Sequence, residues 1–180
     1  MSTRSNNQDE RLLLRGARFD VHAMDLIGDD GKTYVREVIR HPGAVVLLPL
    51  LNADTVVMIE NTRPTVGETL LELPAGTREP SEDAMATAAR ELIEETGYRA
   101  GHLKLIHEFY SAPGICDELM YLYVATDLTA GQHQREATEQ IKNRLAQRAQ
   151  ILEWIADGRV RDAKTLVGLY TFLYSPILNS

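Results

Sequence analysis

Residues 76–98 of the chain, GTREPSEDAMATAARELIEETGY, decide how the middle of the protein folds. Ser81 belongs to the residue types that cap the first turn of a helix, and a helix is predicted to run from there to Thr96. Gly97 is placed to end that helix, because glycine readily takes the left-handed conformation found just past a helix end. A short apolar strand at residues 70–73 precedes the stretch, so the sequence predicts a strand, a loop and a helix in succession.

Three glutamates, Glu91, Glu94 and Glu95, are spaced so that they share one side of this helix. Like charges four residues apart destabilise a helix by roughly 0.2–0.5 kcal/mol, so a compensating cation is expected. Arg90 can supply one ion pair with Glu94, and a divalent cation would compensate more. Clustered carboxylates together with a backbone carbonyl suit hard ions such as Mg²⁺ or Mn²⁺. A solvated acidic face is the alternative for an arbitrary glutamate-rich helix.

The glutamates belong to a longer pattern. In chain order it consists of Gly76, five residues, Glu82, seven residues, Arg90-Glu91-Leu92, one residue, Glu94-Glu95, one residue, and Gly97-Tyr98. This pattern resembles the Nudix box at every defining position, with Tyr98 standing where an aliphatic residue is more usual.

The resemblance implies a role for each of these residues. Four groups would ligate Mg²⁺ or Mn²⁺: Glu91, Glu95, Glu94 and the backbone carbonyl of Ala75. Arg90 and Glu94 are implied to be catalytic, with Arg90 orienting the glutamates while it pairs with Glu82. Gly76 would let the strand turn sharply into the loop, and the structural positions would be Gly76, Glu82, Gly97 and Pro113.

Similarity extends over roughly residues 36–175 to the ADP-ribose pyrophosphatase group of Nudix enzymes. It is carried by the lead-in at residues 71–76, by Pro113 in a loop sixteen residues after Gly97, and by the Asp-Ala-Lys-Thr stretch at residues 162–165. The resemblance implies cleavage of ADP-ribose or a related nucleoside diphosphate sugar into a nucleoside monophosphate and a sugar phosphate. The substrate-binding residues it implies are Arg63, Glu72, Gly114 and Glu118. GDP-mannose or another nucleoside diphosphate derivative remains an alternative substrate, and a non-catalytic ligand-sensing Nudix module remains an alternative function.

The general base is expected late in the chain, because related enzymes take a glutamate from an acidic loop there. Residues 134–141, QREATEQI, occupy that place. Glu139 has the matching spacing to Ile141 and is the predicted base, with Glu136 as the alternative.

The rest of the chain predicts an α+β fold, an α/β/α sandwich of the Nudix type. Strand-like runs come before, between and after two or three helical segments, and such an order favours helices layered on a sheet. Residues 1–42 are predicted to be a small N-terminal antiparallel β subdomain and residues 43–180 the hydrolase domain. The resemblance implies that the N-terminal strands serve a homodimer.

Composition restricts the class of protein. The 180 residues are 44% hydrophobic and 25% charged, which excludes a disordered tail, a collagen-like repeat and a disulfide scaffold. The net charge of −7 argues against a nucleic-acid binder or an anionic-membrane binder, although metal ions could still carry a phosphorylated ligand. The single cysteine, Cys116, favours a reducing cytoplasm. No run approaches the roughly 20 apolar residues of a membrane span.

Overall fold

A computed structural model of the protein describes residues 10–134 and 140–175. The described chain forms two compact units: residues 10–43 with 110–119, and residues 44–109 with 120–134 and 140–175. Each unit is organised around its own β-sheet.

The first unit contains a three-stranded antiparallel sheet in the order β1-β2-β3. Its strands are β1 (Glu10–Arg15), β2 (Asp20–Ile27) and β3 (Thr33–Arg40). The turn between β2 and β3 uses Gly31 at a φ of 73°, as expected for a hairpin turn rich in Gly and Asp. All six residues of the edge strand β1 are exposed. The predicted small N-terminal antiparallel sheet is thus confirmed.

The second unit is built on a mixed sheet with the strand order β10-β5-β4-β9-β8. Its strands are β4 (Ala44–Asn52), β5 (Thr55–Arg63), β6 (Glu68–Glu72), β7 (Ala75–Thr77), β8 (Tyr98–Tyr110), β9 (Leu119–Ala130) and β10 (Ile141–Gln147). β4 runs parallel to β9 and antiparallel to β5, while the short strands β6 and β7 pair with β5 and β4 respectively.

Helices cover both faces of this sheet, so the α/β/α sandwich is confirmed. The α-helices in the described residues are α1 (Ala84–Glu91), α2 (Arg148–Ala156) and α3 (Ala163–Tyr174). On β4, Val45 and Leu47 pack in the cluster that contains α1, whereas Val46 and Leu48 pack in the cluster that contains α2 and α3. Because successive side chains of a strand point to opposite faces, a strand covered on both faces is continuously apolar, as β4 is.

Two details differ from the sequence predictions. The helix begins at Ala84, and its cap is Asp83, whose Oδ1 accepts a hydrogen bond of 2.8 Å from the amide of Met85. Ser81 instead lies in the preceding loop with a φ of 68°, so the predicted cap was wrong. The strand β10 was not predicted, because most of its side chains are polar and exposed along the edge of the sheet.

None of the helices within the described residues has the length and apolar character required to cross a membrane.

Candidate active site

The site begins where β6 leads through Leu73 and Pro74 into β7. The carboxylate of Glu91 lies directly against Gly76, so a Cβ at position 76 would overlap the Glu91 carboxylate. Gly76 is a residue of β7 and does not have a positive φ, so its backbone conformation does not require glycine. Glycine is needed here because the Glu91 side chain approaches so closely. The predicted reason, a sharp turn at Gly76, is replaced by this contact.

The helix that carries the glutamates changes its winding at the site. After α1 ends at Glu91, residues Leu92–Thr96 form a π-helical turn, a feature often found at functional sites. Gly97 ends the turn at a φ of 79°, and its amide donates to the carbonyl of Ile93 at 2.9 Å, which confirms its predicted role as terminator. The sequence had predicted one uninterrupted α-helix to Thr96.

Two of the three glutamates are buried at this point of the helix. Glu91 is 9% exposed and Glu95 is 3% exposed, whereas the side chain of Glu94 is 32% exposed. An acidic face that was simply solvated would leave all three in water. Burial of carboxylates requires counter-charges or hydrogen-bond donors, and these are found around each of them.

Arg90 is the centre of the ion-pair network. Its Nε and Nη2 donate to the two carboxylate oxygens of Glu82 at 3.1 and 3.0 Å. Its Nη1 donates to Glu91 at 2.7 Å and to Glu94 at 2.8 Å. The predicted Arg90–Glu94 and Arg90–Glu82 pairs are both present. The hydrogen bonds from Arg90 lower the pKa of Glu82 to about 2, and the same bonds raise the pKa of Arg90 above its ordinary value.

Glu95 is oriented by the backbone of the Gly76 segment. Its Oε2 accepts a hydrogen bond of 2.9 Å from the amide of Ala75, the residue whose carbonyl was predicted to be a metal ligand. Two contacts thus join the helix to β7: the Glu91 carboxylate packs against Gly76, and the Glu95 carboxylate accepts the hydrogen bond from Ala75.

The donor chemistry of this cluster fits a hard divalent cation. The predicted ligands Glu91, Glu94, Glu95 and the Ala75 carbonyl offer only oxygen atoms, and three of them are carboxylates. Within residues 10–134 and 140–175, no group of three His, Cys, Asp or Glu side chains is already gathered as a metal site. In this arrangement Arg90 bonds Glu91 and Glu94, while Glu95 bonds the Ala75 amide.

A second buried network lies beside the first in the same unit. Glu72 at the end of β6 is 1% exposed, and its two oxygens accept hydrogen bonds of 2.9 and 2.6 Å from Nε and Nη2 of Arg63. Lys164 donates to the same carboxylate at 3.1 Å. Glu72 raises the pKa of Arg63, and the charge of Glu95 contributes in the same direction, so Arg63 lies within electrostatic reach of the glutamate cluster.

Lys164 was missed as a site residue by the sequence reasoning, which noted only the stretch around it. One signal was available: Lys164 is the second residue of α3, and a cation in the first turn of a helix is disfavoured by the helix dipole. Such a position is favourable only when an acidic partner is close. Asp162, two residues earlier, is one such partner, with its Oδ2 2.9 Å from Nζ of Lys164.

The remaining predicted substrate residues lie in the first unit. Pro113 and Gly114 are exposed in the loop between β8 and β9, and Glu118 at the end of that loop is half-buried. Arg40 of β3 holds the loop through a hydrogen bond of 3.1 Å to Asp117. The predicted general base Glu139 and its alternative Glu136 lie outside the described residues.

Comparison with known proteins identifies the family. The model of the NUDIX domain matches residues 40–166 of the chain. The chain belongs to the Nudix family. The matched range contains the Arg90 network, the Glu72 network and the loop that carries Gly114.

Relatives of this Nudix protein carry different names. It is 37% identical over 145 residues to a methanol dehydrogenase activator of Bacillus methanolicus, covering 78% of this chain and 77% of the relative. It is 36% identical over 127 residues to the ADP-ribose pyrophosphatase of Bacillus subtilis (strain 168), covering 71% of this chain and 69% of the relative. The fold is similar to the crystal structure of an ADP compounds hydrolase, with a TM-score of 0.79 at 22% identity, covering 91% of this chain and 90% of that one.

Proposed function

We propose that this Nudix protein is a Mg²⁺-dependent hydrolase of ADP-ribose or a related nucleoside diphosphate sugar. The observation that carries the proposal is the arrangement around Arg90, which pairs with three glutamates while Glu91 lies on Gly76 and Glu95 on the Ala75 amide. Similarity to an ADP-ribose pyrophosphatase supports the substrate class. Water would attack one phosphorus of the diphosphate, the bridging P–O bond would break, and a nucleoside monophosphate and a sugar phosphate would leave.

The residues divide this work between binding and orientation. Glu91, Glu95, Glu94 and the carbonyl of Ala75 would hold the metal. When bound, Mg²⁺ would neutralise phosphate oxygens and lower the pKa of a coordinated water. Arg90 orients the glutamates through the bonds it already makes, and its fixed guanidinium prevents the carboxylates from repelling one another out of position.

The substrate itself would be held by other groups. Arg63 would bind a phosphate oxygen, since guanidinium N–H groups match phosphate geometry. Glu72 would act through Arg63, and Gly114 and Glu118 would contact the remainder of the nucleotide sugar. Glu139, with Glu136 as the alternative, would take the proton of the attacking water.

The decisive experiment measures phosphate-bearing products from ADP-ribose, GDP-mannose and a nucleoside triphosphate, each with Mg²⁺ and with EDTA. We expect Mg²⁺-dependent cleavage, with ADP-ribose giving the highest kcat/KM. A higher kcat/KM for GDP-mannose would make GDP-mannose the assigned substrate, and binding without turnover would indicate a sensing module. Absence of metal-dependent cleavage of any diphosphate refutes the proposal.

A matched pair of variants tests the site in the same assay. Glu95→Gln keeps the size of the side chain but removes its charge, and it is expected to lower kcat about 10²–10⁴-fold. The control is Glu153→Gln, because Glu153 is 69% exposed and pairs with Arg159 on the surface of α2. The control is expected to keep kcat within about twofold.

We further propose that residues 1–42 form a dimerisation subdomain and residues 43–180 the hydrolase domain, in a cytoplasmic homodimer. Support comes from the edge strand β1, where Leu12, Leu13 and Leu14 are 43%, 51% and 57% exposed. An apolar edge strand is a favourable surface for a second chain. Light scattering should give twice the mass of the chain, and a monomer at micromolar concentration contradicts the dimer. The single cysteine, Cys116, supports the reducing compartment.

A further inference from the structure

Lys164 holds a position that the proposed chemistry does not explain. Its Nζ lies 3.1 Å from Oε2 of Glu72 and 2.9 Å from Oδ2 of Asp162, and its side chain is only 13% exposed. Burying the flexible chain of a lysine costs rotamer entropy, and desolvating its ammonium group costs more. Both costs must be offset by the interaction of the ammonium group with neighbouring negative charges.

Glu72 alone does not require this second cation. Arg63 already donates one hydrogen bond to each of its oxygens, which is the bidentate geometry that satisfies a carboxylate best. Asp162 is also partly satisfied without Lys164, because its Oδ2 caps α3 by accepting from the amide and hydroxyl of Thr165 at 3.0 and 2.6 Å. Two carboxylates and two cations are therefore gathered where one ion pair and one helix cap would suffice for hydrogen bonding.

The network is attached to the backbone that leads to the metal cluster. The hydroxyl of Thr165 accepts a hydrogen bond of 2.8 Å from the amide of Leu73, and Glu72 is the residue before it. Two residues further on, the amide of Ala75 donates to Glu95. The first turn of α3 thus fixes the segment on which the predicted ligands are arranged.

Glu72 holds one side of the Arg63 guanidinium. Its Nε and Nη2 are bonded to Glu72, its side chain is 36% exposed, and within the described residues its Nη1 has no hydrogen-bond partner. A guanidinium fixed in this way presents its Nη1 amino group in a constant direction. Its attraction for an anion depends on the net charge of the groups behind it.

We propose that Lys164 is a positioning residue for the phosphate-binding site. Together with Arg63 it balances the two negative charges of Glu72 and Asp162, so the four groups as a set carry no net negative charge. Arg63 can then offer to a substrate phosphate its Nη1, which no described residue bonds. This inference rests on the proposed function, because it assigns Arg63 to the phosphate side of that same site.

The first test is kinetic and uses the full chain with Mg²⁺. Lys164→Met removes the charge while keeping the length of the side chain, and it should raise KM about tenfold with kcat within about threefold of the wild type. Lys164→Arg keeps the charge and should restore most of the affinity. The double variant Asp162→Asn with Lys164→Met removes one charge of each sign, and it should return KM to within about threefold of the wild type. Asparagine caps helices as well as aspartate does, so the double variant also protects the test against misfolding of α3.

A second measurement does not depend on turnover. Inorganic pyrophosphate is titrated into metal-free protein while the ¹H–¹⁵N signal of the Arg63 Nε–H group is followed, with Arg63→Lys used to assign the signal. We expect the signal to respond in the wild type and the apparent Kd to rise about tenfold in Lys164→Met.

The outcomes separate the two proposals. If no diphosphate is hydrolysed but pyrophosphate moves the Arg63 signal with the expected dependence on Lys164, the proposed function fails and the positioning role stands. If hydrolysis is found but Lys164→Met leaves KM unchanged, or the double variant fails to restore it, Lys164 serves only the fold. A wild-type Arg63 signal that does not respond to pyrophosphate also overturns the inference.

Discussion

Replacing Arg90 by methionine should destabilise the protein far more than the loss of an ordinary surface arginine. Arg90 donates four charge-assisted hydrogen bonds to Glu82, Glu91 and Glu94. Its removal leaves three neighbouring carboxylates without their shared cation, and the side chain of Glu91 is only 12% exposed.

The magnitude follows from burial. Removing one partner of a buried ion pair costs about 3–5 kcal/mol, because the other charge remains without compensation. The side chain of Arg90 is 29% exposed and that of Glu94 is 32% exposed, so solvent screens part of the network. We therefore expect Arg90→Met to lower the free energy of unfolding by about 2–4 kcal/mol in EDTA.

The assay is urea unfolding followed by the fluorescence of Trp154, the single tryptophan, which is 7% exposed in the core. The matched control is Arg144→Met, because Arg144 makes one ion pair of 2.7 Å with Glu60 and its side chain is 56% exposed. The control should lose less than about 1 kcal/mol. Mg²⁺ should return more stability to Arg90→Met than to the wild type, since a bound cation stabilises by mass action and replaces part of the lost charge. Equal losses for the two variants in EDTA would refute the view that Arg90 holds the glutamates together.

Three other predictions concern the same cluster. Gly76→Ala should lower kcat at least tenfold and reduce the free energy of unfolding by about 1–3 kcal/mol, because the new Cβ overlaps the Glu91 carboxylate. A kcat and a urea unfolding curve within error of the wild type would contradict the close approach of Glu91 to Gly76. Glu82, whose pKa falls from an ordinary 4.5 to about 2, contributes stability that is complete above pH 4.5 and is lost as the pH falls toward 2. The free energy of unfolding, measured in EDTA as the pH is lowered from 4.5 to about 2, should therefore fall more steeply in the wild type than in Glu82→Gln. Parallel curves for the two proteins would show that Arg90 does not stabilise the ionised form of Glu82. Glu139→Gln should lower kcat about 10²–10⁴-fold with metal binding unchanged, whereas a loss below about threefold would transfer the role of base to another residue, with Glu136 tested next.

Much of the fold follows from local pattern. The apolar run of β4 indicates a strand buried on both faces, and the Gly/Asp turn at residues 28–31 indicates a hairpin. Both features depend on residues close together in sequence, so no knowledge of the tertiary structure is needed to predict them. The strand β10 depends on distant pairing instead, since its residues are polar and its register is set by β5.

The start and the winding of the central helix could not be predicted in this way. Ser81 and Asp83 are both good capping residues, and the choice between them depends on the path of the loop that precedes the helix. The π-helical turn at Leu92–Thr96 adds one residue to a turn without any residue type that demands it. The burial of Glu91 likewise depends on β7, which brings Gly76 against it from a different element.

The arrangement around Arg90 also explains how an acidic protein can be suited to an acidic ligand. In formal charges, one guanidinium neutralises one of the three carboxylates it contacts, so two negative charges remain among Glu82, Glu91 and Glu94, and Glu95 adds another. Hydrogen bonds from Arg90 and from the Ala75 amide make this excess tolerable in the fold, but they do not cancel it. A divalent cation would offset two of these three charges, and its remaining coordination positions would be available for phosphate oxygens. The buried negative charge is therefore more than a cost to stability, because it would select a metal first and, through the metal, a diphosphate.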